Sequence, residues 1–173
     1  MYYSNIKYYD VANGAGVRTS LFVSGCRKHC KNCFNKETWN FFNGTEFTDE
    51  VLKNILDSLA PDYIAGFSLL GGEPFEPENQ KELVKVLKII KDKYPNKEIW
   101  CWTGLCLDNE LKMGGSKYTY YTSEMLGYID VLVDGPFIEE LKDLTLAFRG
   151  SSNQRIINMK ETRKQNKIVI LNL

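Results

Sequence analysis

Thr19-Ser20-Leu21-Phe22-Val23-Ser24-Gly25-Cys26-Arg27-Lys28-His29-Cys30-Lys31-Asn32-Cys33 is the stretch on which the reading of this chain turns. Its first five residues, β-branched and apolar in character, form a strand. The loop that follows carries three thiols at the spacing C-x3-C-x2-C. Three thiolates converging from one short loop can hold three irons of a cubane cluster and leave the fourth iron without a protein ligand. An iron with an open coordination position can bind a substrate and pass it an electron. The loop therefore reads as a reaction centre and not merely as a staple.

A structural zinc site is the main competing reading. Zinc takes four ligands, and Cys26, His29, Cys30 and Cys33 would make such a set. Adjacent ligands such as His29 and Cys30 are awkward for one tetrahedral ion, and zinc sites usually draw two ligand pairs from separated turns. His29, the only histidine, is read instead as a solvated loop residue or as one that tunes a cluster from nearby. Cys101 and Cys106 could complete a four-cysteine site. Cys101, however, lies in an apolar strand pattern, where a buried unreactive thiol is the default.

Outward from this loop, the pattern alternates strand and helix. Thr48 is an N-cap with Asp49 and Glu50 in the first turn. Val51, Leu52, Ile55, Leu56 and Leu59 then share one helical face, and Pro61 ends it. Ile64 to Leu70 is a second strand. Glu78 to Tyr94 is a second helix, with Leu83, Val84, Leu87 and Ile90 opposite its lysines. Glu98 to Trp102 is a third strand, a weaker helix surrounds Ser123 to Tyr128, and Val131-Leu132-Val133 is a fourth strand. Arg155 to Asn158 and Ile168 to Leu171 are short strands in a less regular tail. This order predicts an α/β fold with a parallel sheet and helices packed against it. A complete eightfold barrel needs ~250 residues. The chain has 173, so the expectation is a partial, open parallel β/α barrel forming one domain over residues 1–173.

Composition narrows the function classes. Lys+Arg and Asp+Glu each number 22, so no basic excess points to nucleic acid and no polybasic block to a membrane. No apolar run approaches the ~20 residues of a membrane span. Met1 to Asn5 lacks the charged and apolar regions of a signal peptide. Five cysteines, three of them clustered, argue against a disulfide framework and for a reducing compartment, the cytoplasm.

Four glycine-containing segments each follow an expected strand: the cysteine loop, Gly71-Gly72-Glu73-Pro74, Thr103-Gly104 and Asp134-Gly135. Strand C-termini of a parallel sheet share one edge, where ligands bind, so these scattered segments gather around one pocket. The Gly71-Gly72-Glu73 backbone suits the ammonium of an amino-acid-like ligand, and Thr103 would line the pocket. Asn13-Gly14-Ala15-Gly16 lacks the Lys-Ser/Thr of a P-loop and precedes its strand. It is read as an ordered turn whose Arg18 reaches toward the pocket. Arg149-Gly150-Ser151-Ser152-Asn153-Gln154-Arg155 has the composition of a surface loop.

Together these residues resemble known proteins. Cys26-x3-Cys30-x2-Cys33 is similar to the motif of the radical S-adenosylmethionine superfamily. Asn13-Gly14-x-Gly16, Ser24-Gly25-Cys26, Cys33-Phe34-Asn35, Gly71-Gly72-Glu73-Pro74, Trp102-Thr103-Gly104, Val133-Asp134-Gly135 and Phe148-Arg149-Gly150-Ser151-Ser152-Asn153-Gln154 narrow the likeness. With them the chain resembles the family of anaerobic ribonucleoside-triphosphate reductase activating proteins, from the N-terminus to about Arg155. The Arg-Gly-Ser-Ser-Asn-Gln stretch and compact length select it over the activase of pyruvate formate-lyase. Three positions depart from the pattern. Asn32 stands where an aromatic residue is usual, Leu70 where a serine often precedes Gly-Gly, and Leu105 where a tyrosine often follows Trp-Thr-Gly.

The resemblance implies that Cys26, Cys30 and Cys33 hold a 4Fe-4S cluster whose open iron chelates S-adenosylmethionine. It implies that Gly71, Gly72 and Glu73 contact the methionine end and that Asn32, Cys33, Phe34 and Thr103 lie near the ligand. One-electron reduction would cleave the sulfonium, giving a 5′-deoxyadenosyl radical that takes a hydrogen from a glycine of the partner reductase. A flavodoxin-like protein is the expected electron donor. Two other classes stand beside this reading: a radical enzyme acting on a small molecule, and a non-catalytic zinc or iron–sulfur binding module. The small chain has little room for a lid, and an open pocket suits a substrate that is itself a protein segment.

Overall fold

In the computed structural model, which describes residues 1–173, seven strands and four helices follow in the order β1 (Tyr2–Asp10), β2 (Val17–Val23), β3 (Thr45–Glu46), α1 (Asp49–Leu59), β4 (Ile64–Gly71), α2 (Pro77–Lys93), β5 (Glu98–Trp102), α3 (Thr122–Tyr128), β6 (Val131–Asp134), β7 (Arg155–Asn158) and α4 (Met159–Gln165). All seven strands belong to one open sheet, ordered β3-β1-β2-β4-β5-β6-β7. The four expected strands form its centre, and β2-β4-β5-β6 pair in parallel. The expectation of a parallel sheet holds only there. β1 runs antiparallel to β2, β3 antiparallel to β1, and β7 antiparallel to β6, so the sheet is mixed. The connections explain this. Residues 11–16 between β1 and β2, and residues 135–154 between β6 and β7, contain no α-helix to carry the chain back across the sheet.

Thr48 caps α1 as expected, its Oγ1 accepting from the Val51 N–H, and α1 ends two residues before Pro61. α2 opens on Pro77, whose missing N–H costs nothing in the first turn. The crossovers all step the same way along the sheet, which with right-handed connections puts their helices on one face. On that face Leu21, Val23, Phe67, Leu69, Ile99, Cys101 and Leu132 meet Ile55, Leu59, Leu83, Leu87 and Ile90 in one buried cluster. Burying each leucine contributes ~1.5–3 kcal/mol. The other face carries a smaller cluster of Trp100, Val131, Val133 and Ile156, with Trp102, Phe148 and Leu171 against it. Gly127 in α3 has nothing within 4 Å of where a Cβ would stand. Gly127→Ala is therefore expected to raise stability by ~0.5–1 kcal/mol through helix propensity, checked by thermal unfolding.

Four further features differ from expectation. β1 was not anticipated, because most of its residues are exposed or half-exposed and show no clean alternation. Ile168 to Leu171 makes a single bridge, Ile157 to Ile170. α4 precedes it, unanticipated, with the Asn158 side chain accepting from the Glu161 N–H and Asn166 left-handed at its end. Arg18 does not reach the pocket. It is fully buried; its Nε donates to Ser68 Oγ (2.7 Å) and its Nη2 to the Phe67 and Glu98 carbonyls (3.0 and 2.8 Å). Glu98 opens β5, so the guanidinium lies toward the strand starts, away from the cysteine loop. Burial lowers its pKa to about 10, against the pull of Glu98, Asp130 and Asp10. Gly14 belongs to this arrangement: a Cβ there would stand 3.0 Å from both the Arg18 side chain and Trp100.

Candidate functional site

The C-terminal ends of the central strands are stitched together by backbone hydrogen bonds. The Gly72 N–H donates to the Val23 carbonyl (2.7 Å) and the Glu73 N–H to the Gly25 carbonyl (2.8 Å), joining the segments after β4 and β2. The Thr103 N–H donates to the Val133 carbonyl and the Gly135 N–H to the Leu105 carbonyl (both 2.9 Å), joining the segments after β5 and β6. Gly72 requires its small size, since a Cβ would stand 2.7 Å from the Gly25 carbonyl oxygen. The four strand-end segments thus meet at one edge, as their positions in sequence implied.

The cysteine loop leaves this edge at Gly25, whose N–H donates to the Thr38 carbonyl (2.7 Å). Left-handed backbone at His29 (φ 48°) and Asn32 (φ 56°) turns the loop. Cys26, Cys30 and Cys33 are all free and half-buried. No three Cys, His, Asp or Glu side chains converge on one point. His29 is exposed and stacks on Trp39 at 4.4 Å between ring centroids. A cubane sets each thiolate on a different iron, so it suits three thiols spread along one loop better than a single ion does. Cys101 is fully buried in the helix-side core, and burial pushes its thiol well up, as for an unreactive core cysteine. Cys106 is half-buried after β5.

Burial raises the Cys26 thiol pKa to about 11; the Lys28 and His29 N–H groups pull it down, while Glu73 and Glu76 add to the rise. In the metal-free protein, alkylation of Cys26 is therefore expected to titrate near pH 11. Mass-mapped labelling across pH would read this, and a midpoint near the ordinary ~8.5 would show that the loop does not bury this sulfur in solution.

Asn32 and Phe34 are exposed, Phe34 almost fully. Gly71 and Gly72 are half-buried, and the Gly72 carbonyl accepts no hydrogen bond within the protein. Glu73 and Thr103 are buried and satisfy each other. Thr103 Oγ1 donates to Glu73 Oε1 (2.7 Å), and the Phe75 and Gly104 N–H groups donate to the same carboxylate (3.0 and 2.8 Å). Burial raises the Glu73 pKa, and these three hydrogen bonds oppose the rise. What this segment offers a ligand is backbone, and its carboxylate ties the end of β4 to the end of β5. Arg149–Gln154 is not a loose surface loop. Gln154 Oε1 accepts from the Gly150 and Ser151 N–H groups, Gln154 Nε2 donates to the Gly135 carbonyl, and Asn153 Nδ2 donates to the Pro136 carbonyl. Trp102 Nε1 reaches the Phe148 carbonyl (2.7 Å). The segment is folded onto the end of β6, beside the site edge.

Several residues of the site escaped the sequence reading. Asn79, buried in the first turn of α2, donates through Nδ2 to both the Ser24 and Glu73 carbonyls (2.9 and 3.1 Å). Glu76, also buried, accepts from the Arg27 backbone N–H (2.9 Å). A signal existed: Asn79 and Gln80 fall on the core stripe continued by Leu83, Leu87 and Ile90, and polar residues in apolar phase mark a buried hydrogen-bonding role. A concavity of about 360 Å³ between α3 and α4 includes none of these residues.

Comparison with known proteins agrees with this arrangement. Residues 12–157 match the 4Fe-4S single cluster domain family. The anaerobic ribonucleoside-triphosphate reductase-activating protein of Enterobacteria phage T4 is 38% identical over 156 residues, covering 90% of this chain and 93% of that protein. The protein of that name from Haemophilus influenzae is 42% identical over 159 residues, covering 90% and 97%. The one from Escherichia coli K12 is 39% identical over 160 residues, covering 89% and 97%. With full-length likeness at this level and the cysteine loop in place at the strand edge, the chain belongs to the family of anaerobic ribonucleoside-triphosphate reductase-activating proteins.

Proposed function

We propose that this chain activates an anaerobic ribonucleoside-triphosphate reductase by generating a glycyl radical on it. The observation that carries the reading is the loop of three free, half-buried thiols, whose leading residues Val23 and Gly25 are stitched to Gly72 and Glu73 respectively. Family membership and the names of its relatives support it. Cys26, Cys30 and Cys33 hold a 4Fe-4S cluster. Asn32, Cys33, Phe34, Gly71, Gly72, Glu73 and Thr103 surround S-adenosylmethionine, with the unpartnered Gly72 carbonyl suited to its ammonium. When bound, the cluster and S-adenosylmethionine supply the reducing electron and the 5′-deoxyadenosyl radical that takes hydrogen from glycine. The protein's own part is to bind, orient and restrict water.

We read residues 1–173 as one domain and the singly wound strands β2, β4, β5 and β6 as a partial barrel. Its open side admits the glycine-bearing segment of the reductase. A flavodoxin-like protein is the proposed donor of the electron. No helix is long and apolar enough to cross a membrane.

The test is anaerobic. The protein is reconstituted with iron and sulfide, reduced, and examined by EPR with and without S-adenosylmethionine, then mixed with the reductase. A reduced-cluster signal that changes shape with S-adenosylmethionine, 5′-deoxyadenosine formation and a glycine-centred radical on the reductase are expected. A cluster blind to S-adenosylmethionine would sink the mechanism. Radical formation on pyruvate formate-lyase but not on the reductase would reassign the partner.

A further inference from the structure

The three lysine and arginine side chains of the cysteine loop each reach a glutamate, and the glutamates come from three different strand-end segments. Arg27 pairs with Glu76 and Glu78 after β4, Lys28 with Glu110 after β5 (3.7 Å), and Lys31 with Glu140 after β6 (3.3 Å). The Lys31 pair is open to solvent, and exposed pairs contribute little. Glu76 is different. Its side chain is wholly inaccessible, and it accepts from the Arg27 backbone N–H (2.9 Å), from Arg27 Nη1 (2.7 Å) and from Lys117 Nζ (2.6 Å).

Burial alone would raise the Glu76 pKa, but the hydrogen bonds from Lys117 and Arg27 hold it below the usual carboxylate range, so it is charged at neutral pH. A buried charge with several directed partners specifies geometry more than it adds stability, and stripping a partner leaves it uncompensated. Here the geometry specified is that of the peptide joining Cys26 to Arg27. The Arg27 guanidinium also lies over the Phe41 ring at 4.3 Å. Phe41 in turn occupies the space a Cβ on Gly25 would take, with its ring 2.3 Å from that position. Both sides of Cys26 are therefore clamped, one by Glu76 and one by Phe41 against Gly25.

We infer that Glu76, held by Lys117, is a positioning residue for the cysteine loop: it fixes the backbone beside Cys26 so that the loop presents its thiols already shaped for a cluster. This rests on the reading that Cys26, Cys30 and Cys33 are the cluster ligands, so one arm of the test needs no cluster. In the metal-free protein, Glu76→Gln is expected to speed alkylation of the Cys26 thiolate about tenfold, since it weakens hydrogen bonds to a charged group, and to leave Cys101 protected. The rate is taken as the thiolate rate constant from a pH–rate profile, which divides out the effect of the lost Glu76 charge on the thiol's titration. Cys101 lies in the core and reports global unfolding, so a merely structural effect would raise both thiols together.

In the reconstituted protein, the same variant is expected to lose iron to a chelator about tenfold faster, as outer-shell changes do. Glu78→Gln, altering only the exposed partner of Arg27, should stay within about twofold of wild type in both arms. If Glu76→Gln fails to fold, Lys117→Met decides the matter. It leaves the Arg27 contacts in place, and its Cys26 should alkylate severalfold faster than in wild type. Wild-type Cys26 reactivity in the folded variant, or equal effects of Glu76→Gln and Glu78→Gln, would overturn the inference. A wild-type protein that takes up no cluster would overturn the ligand assignment instead, while the alkylation arm still judges Glu76.

Discussion

Replacing Cys26, Cys30 or Cys33 singly with alanine is expected to lower iron retention to background, while Cys101→Ser and Cys106→Ser keep the full complement. The three thiols are free and half-buried on one loop, and Cys101 is sealed in the apolar core on the helix side of the sheet. A cluster that takes only three protein ligands has no spare thiolate to recruit. Changes behind a metal ligand already cost 10–100-fold in affinity, so loss of a ligand should cost more than ~100-fold. Cys101→Ser places a hydroxyl in apolar surroundings and should cost ~1–3 kcal/mol of stability without touching iron content. Iron and sulfide assays after anaerobic reconstitution and desalting, beside denaturant unfolding, separate the two effects. Loss of stoichiometric iron in Cys101→Ser or Cys106→Ser would refute the assignment of three ligands.

Gly71→Ala is expected to be the most damaging single methyl group near the site. Gly71 ends β4 with φ at +114°, a conformation that residues with a side chain rarely adopt. The added Cβ would stand 2.5 Å from the Val23 nitrogen and 2.6 Å from its carbonyl oxygen. Both are backbone atoms of the adjacent strand, paired with Gly71 in register, and neither can swing away as a side chain would. Strained backbone alone costs ~1–3 kcal/mol, and the clash adds to it, so a loss of at least ~3 kcal/mol is expected. Urea unfolding of the metal-free protein measures it as a lowered midpoint with unchanged slope. Iron loading should fall as well, because the strand end that would move is the one leading into Cys26. A loss under ~0.5 kcal/mol would contradict the Val23–Gly71 register and with it the convergence of the two segments.

Much of this was legible because it is written locally. The four central strands and the helices between them announce themselves by period, by a capping threonine and by prolines at helix boundaries. The cysteine spacing and the glycines after each strand are local signals too, and parallel topology then requires them to share an edge. The flanks were not legible. β1 is an edge strand with one neighbour along most of its length, so its residues carry no alternating imprint of burial. The antiparallel turn of the sheet at both sides follows from connections whose missing helices only the folded chain shows. Arg18, near a glycine-rich turn, invited a ligand-binding role, yet its partners Ser68 and Glu98 lie 50 and 80 residues away.

The amino-acid sequence by itself determined the chemistry available to this protein, three thiols on a loop after a strand, and the parallel core that delivers them to an edge. Only the tertiary structure decided how that loop is held. Glu76 meets Arg27 across 49 positions of chain and Lys117 across 41, at the start of α2 and from the segment before α3. A hydrogen bond between distant residues leaves no periodicity behind, because its energy depends on where folding places its two ends and not on what lies beside them in the chain.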